Sequence, residues 1–194
     1  GDPSTTSDNY TIDGYANVQY HTPADMLPFG ITAKIAYAPD LDDTMNSGNA
    51  AGQEKTIADD FEGRNMTAYQ VKAAPIDGLS IGASYNEFSE AGDNAPETAP
   101  ESGAYFATYA FGNFTVGYSR AYKQMLLDDD EHTTSATADY YDQTNKSIAM
   151  AVNDDLSISY EVEESTKNAV GAATADITQK STAVQVAYNM GGMT

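Results

Sequence analysis

The sequence predicts an all-β fold: an antiparallel, up-and-down β-barrel whose strands cross a bilayer. Two observations predict it. Segments of about ten residues alternate apolar and polar side chains, and a period of two marks a strand whose faces meet different surroundings. The connections alternate between tight turns and long acidic stretches, so every long stretch falls at one end of a meander. Outer-membrane barrels show that asymmetry, and about ten tilted residues is the length a bilayer's hydrocarbon core requires of a strand.

The first expected strand, residues 10–21, sets Ile12, Gly14, Ala16, Val18 and Tyr20 against Asp13, Tyr15, Asn17 and Gln19. Residues 22–29, with Pro23 and Pro28, reverse the chain, and 30–38 follow with Ile31, Ala33, Ile35 and Tyr37 on one face. A long polar stretch, 39–63, leads to 64–74, where Tyr69, Val71 and Ala73 oppose Gln70 and Lys72. Pro75-Ile76-Asp77-Gly78 is a tight turn by residue type. The return strand, 79–89, carries Leu79, Ile81, Ala83 and Tyr85 in phase, with Ser80, Gly82, Ser84 and Asn86 on its other face.

A second long stretch, 90–101, precedes the expected strand 102–111, with Tyr105, Ala107, Tyr109 and Phe111 in phase. Gly112-Asn113 turns the chain into 114–124, which presents Phe114, Val116, Tyr118 and Tyr122. After 125–141, the segment 142–152 carries Ile148, Met150 and Val152; it turns at Asn153-Asp154-Asp155 and returns as 156–166 with Leu156, Ile158, Tyr160 and Val162. Beyond 167–177, the ninth strand, 178–188, shows Thr182, Val184, Val186 and Tyr188. Nine is odd, whereas antiparallel barrels of this kind close on an even count, so the chain, one domain over 1–194, is expected to be part of a longer barrel.

Composition narrows the function. With 9 Lys+Arg against 29 Asp+Glu the net charge is −20, which repels a phosphate backbone and excludes nucleic acid as a partner. Cysteine and tryptophan are absent, so neither a disulfide framework nor a thiolate metal site exists. No apolar run reaches the length of a membrane-spanning helix, and no signal-peptide pattern is present, so any targeting segment is expected to lie outside this sequence. Hydropathy averages are blind to a barrel in which only alternate residues face lipid.

Alternation does not itself say which face is dry. A secreted or cell-surface acidic β-sandwich acting in adhesion or assembly is the alternative; it would gather Ile81, Val116, Ile158 and Val186 in a dry interior. Against it, the apolar phase is rich in tyrosine (Tyr20, Tyr37, Tyr69, Tyr85, Tyr109, Tyr118, Tyr160, Tyr188), as an interfacial girdle would be. The opposite phase is small and polar, with Ser80, Gly82, Thr115, Gly117, Ser147, Ala149, Ser157 and Ser159, which suits a water-filled lumen.

The phrases Ile76-Asp77-Gly78-Leu79-Ser80-Ile81-Gly82-Ala83-Ser84-Tyr85, Phe114-Thr115-Val116-Gly117-Tyr118, Asn153-Asp154-Asp155-Leu156-Ser157-Ile158-Ser159-Tyr160 and Val184-Gln185-Val186-Ala187-Tyr188-Asn189-Met190-Gly191-Gly192-Met193-Thr194 resemble the hairpins of general diffusion porins of Gram-negative bacteria, most of all the acidic porins of marine alphaproteobacteria such as the SAR11 group. The resemblance runs from about Arg64 onward. It implies a sixteen-stranded, trimeric outer-membrane barrel that passes small hydrophilic solutes and ions without chemistry. The chain departs from the pattern in holding about half the strands and in lacking a final strand that ends on an aromatic residue, hence its reading as an internal or partial segment.

By phase, Gln19, Lys34, Lys72, Lys123, Glu161, Glu163 and Gln185 face the lumen, where rings of charge sort ions by sign. The porin resemblance implies an acidic, inward-folded constriction loop, for which 39–63 and 90–101 are both candidates. The runs Asp40-Leu41-Asp42-Asp43, Asp59-Asp60 and Asp128-Asp129-Asp130-Glu131 supply hard oxygen ligands for Ca²⁺, yet none has the spacing of a twelve-residue calcium loop. They are better read as hydrated surface that draws cations to a pore mouth, and no cofactor is expected. Lys146 and Lys180, outward by phase near the loop end, are candidate contacts for lipopolysaccharide phosphates in the surrounding lipid. His21 and His132, the only histidines, lie in no catalytic motif, and no glycine-rich phosphate loop is present, so the chain does not read as an enzyme.

Overall fold

A computed structural model describes residues 17–23, 25–39, 65–89, 101–124, 138–169 and 175–189. It contains β1 (Val18–His21), a short 3₁₀ turn (Pro28–Gly30), β2 (Thr32–Ala38), β3 (Met66–Ala73), β4 (Leu79–Phe88), β5 (Glu101–Phe111), β6 (Phe114–Gln124), β7 (Ala138–Ala151), β8 (Leu156–Ala169) and β9 (Ile177–Tyr188). The nine strands form one sheet in sequence order, and every strand pairs antiparallel with its chain neighbour. This is the expected meander. Among the described residues the sheet is not closed: β1 and β9 are its edges.

Strand limits follow the alternation closely where one face is apolar. β6 has the expected bounds and β4 ends one residue early, at Phe88. Where both faces are polar, the sequence marks no strand and the structure supplies one. β7 starts at Ala138 rather than 142, β8 runs on to Ala169 rather than 166, and Glu101 and Ile177 belong to strands rather than to the expected long stretches. Of the first expected strand only Val18–His21 falls in the sheet; residues 10–16 lie outside the described residues.

The short turns are set by local chemistry. Gly78 has φ +77, the left-handed region open to glycine, and its carbonyl accepts a bond from the Ala110 N–H (2.8 Å), tying the β3–β4 turn to β5. Asn153 Oδ1 accepts from the backbone N–H groups of Asp155 and Leu156, both at 2.9 Å, a side-chain mimic of a backbone turn.

The packed part of the sheet is not its apolar phase. Among the described residues the buried side chains are Ala38, Met66, Phe88, Asn86, Ser102, Lys123 and Glu163, and register places all seven on the polar, small-residue face. Asn86 Nδ2 donates to Ser102 Oγ there at 3.2 Å. Ile81 and Ile158 are 38% exposed and Val186 64%. The four residues that a sandwich would gather in its core are therefore not sequestered together.

Candidate functional site

Because side chains alternate, register carries each phase intact across the sheet. One row on the apolar face reads Leu79, Tyr109, Val116, Ile148, Tyr160, Val184 from β4 to β9. Leu79 starts β4 at the short-turn end, yet Val184 is followed toward the long connections only by the polar Thr182, Lys180 and Thr178. The apolar belt therefore runs obliquely to the hydrogen-bond rows.

Its upper edge can be traced residue by residue. Tyr37 is the last apolar-phase side chain of β2, and Tyr69, Tyr85, Tyr105 and Tyr118 are the last large ones before a polar or small residue on β3 to β6; register sets each nearer the short-turn end than the one before, except that Tyr69 and Tyr85 are level. From Tyr37 to Tyr118 the line drops about six residues over four strand spacings. At ~3.3 Å per residue and ~4.8 Å per strand, that is a slant of roughly 45°. A level belt on strands tilted by about that angle draws the same oblique line, and membrane barrels tilt their strands by ~35–45°. Along β5 the belt covers Tyr105 to Phe111, ~20 Å of strand, or ~14 Å of height at that tilt; aromatic rings at both ends extend it toward the ~25 Å apolar band of such barrels.

Polar groups crown the belt. Tyr69 donates to Glu87 (3.2 Å), and Tyr85 and Tyr122 donate to the two oxygens of Glu101 at 2.5 and 2.8 Å. Arg120 makes a two-pronged ion pair with Asp142 across β6 and β7. Tyr69 and Tyr85 thus keep their rings at the belt's edge and their hydroxyls at a polar rim, the arrangement favoured at an apolar–aqueous boundary, while Tyr122 lies beyond Arg120 within the rim itself. At the opposite edge, Tyr109, Phe111 and Phe114 stack with centroids 5.6 and 5.8 Å apart. Replacing Glu101 by Ala strands two tyrosine hydroxyls and is expected to cost about 1–3 kcal/mol in urea titrations, against about 1 kcal/mol for Tyr85→Phe.

The girdle tyrosines foreseen from phase all lie on this face, at different heights. Tyr37, Tyr69, Tyr85 and Tyr118 mark the upper edge, Tyr160 sits one position below it, and Tyr109 and Tyr188 lie toward the short turns. Sequence reasoning missed Tyr105 and Tyr122 as girdle members, and missed the rim acceptors Glu87, Glu101 and Asp142. Their roles depend on which residue stands across the ladder, and periodicity does not encode that.

The expected lumen residues share the polar face. Lys34 pairs in register with Gln70 and with His21, whose ring nitrogen lies 3.0 Å from Gln19 Oε1. Lys72 stands opposite Thr32 and Gly82, so the two lysines occupy adjacent strands toward the short-turn end. Lys123 is buried beside Ser102 and Tyr141, near the long-connection end. On β8, Glu161 accepts from the Asn145 amide and Glu163 from Gln143 Nε2 at 2.6 Å, while Gln185 lies opposite Ser159. The candidates form no single ring: basic residues mark β2, β3 and the top of β6, acidic residues mark β8, and β7 supplies the amides that orient the acids.

Apart from Pro39 and Glu101 at their ends, the constriction-loop candidates lie outside the described residues, as do the three acidic runs and His132. No group of three or more His, Cys, Asp or Glu capable of holding a metal occurs among the described residues. No helix among them is long and apolar enough to cross a membrane. Lys180 stands opposite Glu164, and Lys146 lies at mid-strand between Tyr118 and Val162, not near the loop end as expected. No known protein family and no curated protein matches the chain.

Proposed function

We propose that this chain is the wall of an outer-membrane β-barrel channel, through which small hydrophilic solutes and ions diffuse passively. The observation that carries the reading is the exposed apolar belt, slanted against the hydrogen-bond rows by an angle like the strand tilt of membrane barrels, while the face opposite is mostly small and polar. A soluble protein leaves no such continuous apolar band in water, since large exposed patches mark interfaces with another phase or partner.

The mechanism requires no reaction. Water fills the space before the polar face, short Ser, Thr and Ala side chains and bare Gly backbone leave it open, and Glu161 and Glu163 place carboxylates where passing ions feel them. With a net charge of −20, the chain favours cations. On this reading it resides in a Gram-negative outer membrane, surrounded by phospholipid and lipopolysaccharide, within a longer, trimeric porin as the resemblance implies.

Planar-bilayer recording of the full-length protein tests the proposal. Discrete single-channel steps are expected, and a complete absence of ion current defeats it. Replacing both Glu161 and Glu163 by Gln is expected to move the reversal potential in a salt gradient toward anions. An unchanged reversal potential would mean that these acids do not face the conduit.

A further inference from the structure

The turn between β1 and β2 holds a conformation that its residue types do not favour. Phe29 has φ 59, in the left-handed region, where a bulky side chain is strained by about 1–2 kcal/mol and where glycine or asparagine is usual. The conformation is fixed by its neighbours: the Phe29 carbonyl accepts from the Ala74 N–H at 3.0 Å, the Pro28 carbonyl accepts from the Ile31 N–H at 3.2 Å, and Gly30 follows with φ 62. The result is a phenylalanine that is 65% exposed, in a turn that also holds Met26 at 62% and is bonded to Ala74, two residues before Ile76 at 60%. Strain is retained here although most of the Phe29 surface stays exposed.

The geometry points to an anchor for the bilayer's interfacial zone, built from Met26, Phe29 and Ile76 on the short-turn rim; this rests on the barrel reading above. Followed along the belt's slant, the level of the stacked Phe111 and Phe114 reaches β3 at its last residues, next to Ala74, to which Phe29 is bonded. The three exposed side chains therefore continue the lower aromatic edge where β2 and β3 are too short to carry it.

Charge identifies the lipid. The four short connections carry Asp25, Asp77, Asp154 and Asp155 and no Lys or Arg. Such a rim repels anionic headgroups, so docking is apolar and takes zwitterionic phospholipid.

The chain has no tryptophan, so each Phe→Trp or Met→Trp variant carries a single reporter. The full chain bearing Phe29→Trp, Met26→Trp or, as a belt reference, Ile158→Trp is reconstituted in phosphatidylcholine vesicles brominated near the glycerol or near the methyl end of the acyl chains. Phe29→Trp is expected to emit at blue-shifted wavelength and to lose emission most with the shallow bromines, and Ile158→Trp most with the deep ones. Met26→Trp reports the same level without disturbing the left-handed residue. If Ile158→Trp is quenched while both turn reporters emit as in water, the anchor is wrong and the barrel reading stands; the rim then faces solvent or a protein. If no reporter is quenched, both fall.

Discussion

Val116→Arg is expected to cost about 2–4 kcal/mol when the protein is unfolded from lipid vesicles with urea, the penalty of a guanidinium in the middle of a barrel's lipid-facing band. Val116 lies in mid-belt on β6, between Phe114 and Tyr118 and opposite Tyr109 and Ile148. On a water-bathed surface the same change falls within about 0.5 kcal/mol. The neighbour provides the control: Thr115, one residue away on the polar face and exposed, is expected to accept arginine with little loss. A one-residue shift that removes most of the penalty reads out the period of two in energy, and equal costs at both positions would contradict the assignment of faces.

Gly78→Val is the largest expected loss from within the sheet. A Cβ built on Gly78 would lie 2.3 Å from the Ala110 carbonyl oxygen, and the backbone sits at φ +77. The left-handed conformation alone costs a branched residue about 1–2 kcal/mol. The clash is with main chain that no rotamer can move, so β5 must retreat and the Ala110–Gly78 hydrogen bond is lost. A total of about 2–4 kcal/mol is expected, read as a lowered urea midpoint. Gly112 is the contrast: it also has positive φ, but a Cβ there meets nothing within 4 Å, so Gly112→Asn is expected to cost well under ~1 kcal/mol.

The sheet was legible in the sequence wherever its two faces differ. Leu79, Ile81, Ala83 and Tyr85 announce β4, and the two-residue turn at Gly112-Asn113 fixes β6 against β5, so strand order and local register follow from short-range signals. Legibility ends with the apolar belt. From Ala138 to Tyr141 and from Lys167 to Ala169 no alternation of apolar and polar residues marks a strand, and pairing between β7 and β8 extends the strands there. The candidate site divides in the same way. That Lys34, Glu161 and Gln185 share a face needs only parity; that Gln143 and Asn145 grip Glu163 and Glu161 needs the register of two strands, and that Glu101 joins Tyr85 to Tyr122 needs the register of three at once. The belt's slant, on which the functional reading rests most heavily, is a property of the whole sheet.

The absence of cysteine allows one nitroxide at a time to be placed along β6, from Phe114 to Gln124, in the protein reconstituted into vesicles. Collision with dissolved oxygen is expected to peak at positions 114, 116 and 118 and a water-soluble nickel chelate to reach 115, 117 and 119 instead, with the oxygen peaks fading from Arg120 upward. Peaks in the opposite phase, or no period of two, would contradict a sheet that turns its apolar face to lipid.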